Sequence, residues 1–125
     1  MKLTNRQMDE YFNALNQVSE KTAGRLGYAI ARNMRKLSEE LVEYQKLKDK
    51  FIVKYGTQDE NGNVSILVGS EAFDNYIADM REYMDISHEV DIFMVTEDEV
   101  INSELNAKEM LAIDFMTTKR EEKNE

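Results

Sequence analysis

The chain has 125 residues, of which 42% are hydrophobic and 33% charged, and its formal net charge at pH 7 is −9. This length suits one domain with a buried core. The absence of Cys excludes disulfides, thiolate catalysis and cysteine-ligated zinc, and the single His nearly excludes the common transition-metal sites. No apolar run approaches the roughly 18 to 20 residues of a membrane span, and the first residues lack the apolar core of a signal peptide. We therefore expect a cytoplasmic protein that does not bind membranes.

The charge is divided by position along the chain. Residues 1–57 carry 11 Lys and Arg against 7 Asp and Glu, whereas residues 58–125 carry 5 against 18. A basic half therefore precedes an acidic half. Such a split steers encounters with charged partners but identifies no reaction. The net negative charge also disfavours broad affinity for nucleic acid, although it leaves room for a local basic contact by the first half.

Two helices are predicted in the basic half. Thr4 and Gln7 fit a capping box, so a first helix begins at Asn5. Apolar residues then recur at near-heptad spacing from Leu26 to Tyr55 without a proline. This pattern predicts one continuous helix of about 30 residues, roughly 45 Å long. Its apolar stripe favours packing within the domain and also fits a coiled-coil seam with a partner.

The acidic half opens with a turn. Asn61 and Gly62 tolerate the positive φ angles of a tight turn, and residues 64–68 form a short candidate strand. Ser70 offers an N-cap for a third helix. The apolar stripe of that helix comprises Phe73, Ile77, Met80 and Met84. Core packing is the simpler interpretation of the methionines, since their thioethers fill irregular interior gaps.

Alternation of apolar and polar residues over 86–94 is typical of a half-buried strand. Thr96 with Glu99, and Asn106 with Glu109, are two further helix-start signals. The chain is therefore predicted to be a mainly helical α+β protein with a long central helix, two packing helices and a small two-strand element.

These elements are predicted to form one compact domain over residues 1–117. The polar residues 118–125 are expected to form a disordered tail.

Three groups of side chains bear on possible chemistry. Asp59, Asn61 and Asn63 resemble the opening ligands of a calcium loop, but Val64 and Ser70 stand where an EF-hand needs glycine and a bidentate acid. A plain turn is the favoured interpretation of this segment.

The other two groups are His88 and the run of acids at residues 97–99. His88 is the only imidazole, and its neighbours Glu89 and Asp91 fall on the opposite face of a strand, which favours a structural role. Acids in the first turn of a helix complement its dipole, and this explanation is favoured over a magnesium site. The chain also lacks a Gly-rich phosphate loop, a nucleophile elbow and a nucleic-acid motif. We expect no enzymatic activity, no cofactor and no metal.

Five segments resemble a known family when they are taken in order. They are MKLTN at residues 1–5, YAIARN at 28–33, KYG at 54–56, DENGN at 59–63 and AKEMLAIDFM at 107–116. Together they resemble the domain-of-unknown-function family numbered sixteen-seventeen, small proteins encoded by tailed phages and prophages of Gram-positive bacteria. The resemblance implies a phage or prophage origin, and it carries over no activity and no catalytic residues.

The function expected from these features is non-enzymatic binding of a macromolecular partner, a host or phage protein, through the acidic second half. The leading candidate contact residues are Glu71, Asp74, Asp79, Glu82, Glu97 and Asp98. An acidic face complements a basic groove on a partner. The alternative is a structural or assembly protein that forms a homo-oligomer through the long helix. A nucleic-acid contact by the basic helix ranks below both.

Overall fold

The computed structural model describes residues 1–119, which contain six α-helices, two short 3₁₀ helices and three two-stranded sheets. The helices are α1 Asn5–Val18, α2 Gly24–Glu40, α3 Val42–Tyr55, α4 Glu71–Met84, α5 Glu97–Ile101 and α6 Ala107–Ala112. The strands are β1 Lys2–Thr4, β2 Thr57–Gln58, β3 Val64–Ser65, β4 Ser87–Glu89, β5 Val95–Thr96 and β6 Thr117–Thr118. This composition confirms a mainly helical α+β fold.

Two of the three sheets of residues 1–119 join distant parts of the chain. β1 pairs antiparallel with β4, β2 pairs antiparallel with β3 in a hairpin, and β5 pairs in parallel with β6. The single two-strand element expected from the sequence is therefore three separate small sheets. Thr118 lies in β6 opposite Thr96, so regular structure continues past residue 117 into the predicted tail. The rest of that tail, residues 120–125, lies outside the described residues.

Side-chain caps begin four of the six α-helices of residues 1–119, as predicted. The Thr4 side chain accepts from the Gln7 backbone N–H, and the Gln7 side chain accepts from the Thr4 backbone N–H, which completes the capping box of α1. Asn106 and Glu109 form a second capping box at α6. Single side-chain caps begin the other two predicted helices, Ser70 for α4 and Thr96 for α5.

The predicted continuous helix over residues 26–55 is wrong, because α2 ends at Glu40 and α3 begins at Val42. Leu41 between them has φ −86° and ψ −2°. Its N–H still bonds to the Leu37 carbonyl at 3.0 Å, and its carbonyl accepts from Gln45 at 2.8 Å. The apolar stripe therefore runs across the interruption without a phase change, and no Gly or Pro marks it. Tertiary packing produces the interruption, since α2 packs mainly on α1 and α3 on α4.

The core lies where α1 and α2 meet α4 and the last described residues. Its fully buried large apolar side chains are Met8, Leu15, Ile30, Leu37, Leu41, Met80, Ile113, Met116, Val18 and Val95. Tyr11 stacks on Phe115 with ring centroids 4.0 Å apart, which fastens the last described segment to α1. Met80 is wholly buried and Met84 half-buried, in agreement with a packing role for the methionines on α4.

The predicted strand over residues 86–94 is much shorter in the structure, where β4 covers only Ser87–Glu89 and backbone bonds between Asn5 and Ile86 and between Met1 and Val90 flank it. Val90 and Ile92 are buried as the alternation predicted, whereas Ile86 and Met94 are exposed. The backbone of Phe93 has no strand partner and bonds to the side chain of Asn33 instead. The fully buried Asn33 of α2 donates to the Phe93 carbonyl at 2.9 Å and accepts from the Phe93 N–H at 2.7 Å. The backbone at Phe93 is thus satisfied without a sheet.

Candidate functional site

Ion pairs join the basic first half of the chain to its acidic second half. Basic residues of the first half pair with acidic residues of the second: Arg6–Asp85 at 3.0 Å, Lys21–Glu109 at 2.9 Å, Arg25–Glu99 at 2.8 Å, Lys36–Asp91 at 3.7 Å and Lys54–Asp79 at 3.7 Å. Part of the negative charge of the second half is therefore paired with positive charge within the fold. Acids without such a pair are the better candidates for a partner contact.

The six predicted contact residues divide between two helices. Glu71, Asp74, Asp79 and Glu82 belong to α4, and Glu97 and Asp98 belong to α5. α4 packs mainly on α3 and also touches α1, whereas α5 packs on β5 and β6. The two sets thus have different structural surroundings, and we treat them as separate surfaces.

Three of the four acids on α4 are exposed. Glu71, Asp74 and Glu82 are spaced by three and eight residues, which places them on one side of the helix. Within residues 1–119 none of them lies within 4.0 Å of a basic nitrogen. Arg81 is the single basic residue of α4. Glu82 also raises the pKa of the neighbouring Tyr83 phenol, through its charge and a hydrogen bond. The outer side of α4 is therefore strongly acidic.

Asp79 differs from these three because it is half-buried and already bound. It accepts a hydrogen bond from the Tyr55 hydroxyl and lies 3.7 Å from the Lys54 ammonium, both on α3. A hydrogen bond with Tyr55, together with the nearby Tyr55 and Asp79 charges, raises the pKa of Lys54. These contacts make Asp79 a link between α3 and α4.

Two exposed aliphatic side chains precede α4 in the chain. Leu67 and Val68 are 79% and 76% exposed, and they lie in the turn that leads into the helix. Gly69 allows this turn with φ +90°, and the Ser70 N–H and hydroxyl both bond to the Leu67 carbonyl. Residue chemistry alone did not single out this pair, since residues 64–68 were predicted to be a strand. We name Leu67, Val68, Glu71, Asp74 and Glu82 together the acidic–apolar surface.

The acids of α5 have other roles. Glu97, Asp98 and Glu99 occupy the first turn of α5, where carboxylates complement the helix dipole. Glu99 accepts from Arg25 at 2.8 Å, and half-buried Glu97 borders a pocket of about 490 Å³ with exposed Ile101 and Leu111. Across residues 1–119 no three His, Cys, Asp or Glu side chains are grouped to hold a metal ion.

The two other candidate groups from the sequence are residues 59–63 and His88. Asp59 Oδ1 accepts from the backbone N–H groups of Asn61 and Asn63 at 2.9 Å each, and Gly62 has φ +83°, so this segment is a tight turn. His88 lies opposite Leu3 in the sheet, and its Nδ1 is 3.8 Å from Glu40 Oε2. No local pattern relates His88 to Glu40, because tertiary packing alone brings them together.

Comparisons with protein-family models, curated proteins and solved structures found no match. In the described part of the chain no helix is both long and apolar enough to cross a membrane.

Proposed function

We propose that this protein is a non-enzymatic binding protein whose acidic–apolar surface contacts a basic protein partner. The observation that carries the proposal is the set of exposed acids on α4, which form no ion pair with a basic side chain of residues 1–119. Two exposed aliphatic residues, Leu67 and Val68, lie in the turn that leads into this helix. The resemblance to proteins of tailed phages supports a host or phage protein as the partner and the bacterial cytoplasm as its location.

The composition of the surface suits such a contact. Unpaired carboxylates on one side of a helix attract a basic partner over several ångströms and speed its association. Aliphatic side chains at the edge exclude water on docking, and their burial supplies affinity that charge alone does not. Leu67 and Val68 are therefore proposed as anchors, with Glu71, Asp74 and Glu82 directing the approach.

A charge-reversal experiment tests this proposal. The variant Glu71→Lys/Asp74→Lys/Glu82→Lys is used as bait in a bacterial lysate and compared with Glu20→Lys/Glu39→Lys/Glu104→Lys, which makes the same charge change at exposed acids elsewhere. We expect the first variant to lose the partner that the wild-type protein captures, and the second to retain it. Equal capture by all three proteins would contradict the proposal.

Nucleic-acid binding by α2 is the second candidate, and an exposed aromatic residue favours it. Tyr28 is 57% exposed and lines a groove of about 300 Å³ with Arg32 and Arg35, which have no acidic partner within 4.0 Å in residues 1–119. Stacking on Tyr28 and phosphate contacts by the arginines fit a single strand. Binding that depends on Arg32 and Arg35 and falls steeply with salt would favour this candidate.

The main argument for self-association was one continuous long helix. The interruption at Leu41 divides that helix, and Leu37 and Leu41 are 0% and 2% exposed within one chain. A mass that rises with protein concentration would restore this alternative.

A further inference from the structure

The turn between β2 and β3 contains the only Asn-Gly step of the sequence, at Asn61 and Gly62. Asparagine is a chemically labile residue, because the backbone nitrogen of the following residue can attack its side-chain amide carbon. Glycine leaves that nitrogen accessible, since it carries no Cβ. Asn63, the other Asn of the turn, precedes the β-branched Val64, whose side chain shields the same atom. Local chemistry thus makes Asn61 the most reactive Asn of this segment.

The surroundings of Asn61 leave its side chain open to this reaction. Asn61 and Gly62 are both exposed, and no hydrogen bond within residues 1–119 involves the Asn61 side-chain amide. The space beside Gly62 is open as well, since the nearest atom to a Cβ placed there is Gln58 Nε2 at 3.5 Å. Asn106 shows the contrast, because its side chain accepts from the Glu109 N–H at 2.9 Å and is held by that cap. Within the described residues, the Asn61 amide is restrained only through the backbone of the turn.

Asp59 holds that backbone with its side chain and its carbonyl. Its Oδ1 accepts from the N–H groups of Asn61 and Asn63 at 2.9 Å each, and its carbonyl accepts from the Gly62 N–H at 3.1 Å. The Gly62 nitrogen attacks the amide only after it has lost its proton. A carbonyl bound to that N–H keeps the proton in place and fixes the direction of the nitrogen. Asp59 therefore opposes a reaction that the sequence of the turn favours.

We propose that Asn61 is a site of spontaneous conversion to aspartate and isoaspartate, and that Asp59 limits the rate by holding the turn closed. Hydroxide takes the Gly62 N–H proton, and the nitrogen forms a bond to Asn61 Cγ. The Cγ–Nδ2 bond breaks, and Nδ2 takes up a proton and leaves as ammonia. Water then opens the five-membered imide at either carbonyl carbon. The new carboxylate stands on the side chain in aspartate and on the main-chain carbon Cα in isoaspartate.

Conversion changes both the charge and the length of the turn. Each product adds one negative charge close to the Asp59 carboxylate, which like-charge repulsion disfavours. Isoaspartate also lengthens the main chain by one carbon, which displaces the Gly62 N–H from the Asp59 carbonyl. The hairpin pairs only Thr57 with Ser65 and Gln58 with Val64, so it has few other backbone bonds to hold it. We therefore expect the β2–β3 hairpin to open in the converted protein. This proposal does not depend on the acidic–apolar surface.

The first test follows the conversion of each Asn by peptide mass spectrometry while the full chain is incubated at pH 8. We expect Asn61 to convert before any other Asn of residues 1–119. Asp59→Ala should convert about tenfold faster, because it removes two hydrogen bonds to a charged acceptor. The control is Glu60→Ala, which removes an exposed carboxylate that makes no hydrogen bond or ion pair within residues 1–119. Conversion of another Asn ahead of Asn61, or equal rates in the two variants, would overturn the proposal.

The second test compares amide spectra of the ¹⁵N-labelled protein before and after incubation with those of Asn61→Gln, whose longer side chain would have to close a less favourable six-membered ring. We expect the backbone amides of residues 57–65 to shift in the incubated wild type and to stay unchanged in Asn61→Gln. The amides of β1 and β4 should stay unchanged in both proteins. Equal shifts in the two proteins, or a converted wild type whose hairpin amides have not moved, would contradict the expected opening.

Discussion

At the scale of single residues, polar side chains of this protein bond to backbone groups that have no partner in a sheet or within a helix. Asn33 lies on the buried face of α2 at 0% exposure and bonds twice to the backbone of Phe93. Sequence patterns did not identify it, because an Asn among apolar residues is usually taken as exposed. Thr4 and Asn106 were identified, because a cap depends only on neighbours three residues away. Local hydrogen bonds are thus predictable here, and long-range ones are not.

Glu109 carries a testable dependence of stability on pH. A hydrogen bond from the Asn106 backbone and one from Lys21 lower its pKa below the ordinary value of 4.5. The charged form is therefore favoured in the folded state, and its stabilisation is present above that ordinary value and lost as pH falls through the lowered pKa. In Glu109→Gln the capping hydrogen bond remains possible but the charge is gone.

Urea unfolding of the wild type and Glu109→Gln at pH 7 and pH 3 measures this effect. The wild type should be the more stable protein at pH 7, and the difference should shrink at pH 3. Glu104→Gln, at an exposed acid, is the control and should show no comparable change. A difference for Glu109→Gln that is the same at both pH values would refute the assignment.

At the scale of elements, the helices were predictable where start signals and apolar periodicity were both local. α1, α4 and α6 begin at their predicted caps. The interruption at Leu41 was not predictable, since it leaves the periodicity intact and arises from packing on two different helices. The pairing of β1 with β4 joins residues more than 80 positions apart, and nothing local encodes it.

The junction of α2 and α3 is a sensitive point of the core. Leu41 is 2% exposed, whereas the adjacent Val42 is 44% exposed at the start of α3. Leu41→Asp would bury an unpaired charge and should lower the free energy of unfolding by about 3 kcal/mol or more. Val42→Asp, one residue along, places the same group in solvent near a helix N-terminus and should change it by less than about 0.5 kcal/mol. Similar unfolding midpoints in urea for the two variants would show that Leu41 is not in the core.

At the scale of the whole molecule, the two oppositely charged halves are complementary within the fold. Pairs such as Arg6–Asp85 and Arg25–Glu99 join them across the structure. Because most of these pairs involve exposed side chains, each contributes only about 0 to 1 kcal/mol to the stability of the fold. Their larger effect is on the net charge that remains at the surface. The charge that remains without an ion pair on α4 is acidic, and this acidic charge is the basis of the proposed function. The charge split was visible in the sequence, whereas the internal pairing of its two halves required the fold.

The most direct test of the acidic–apolar surface is amide hydrogen exchange of the protein alone and in complex with the partner that it captures. Our account predicts new protection concentrated in residues 66–84, which include Leu67, Val68 and the exposed face of α4. Protection confined to the exposed face of α2 around Tyr28 and Arg32, with residues 66–84 unchanged, would contradict it.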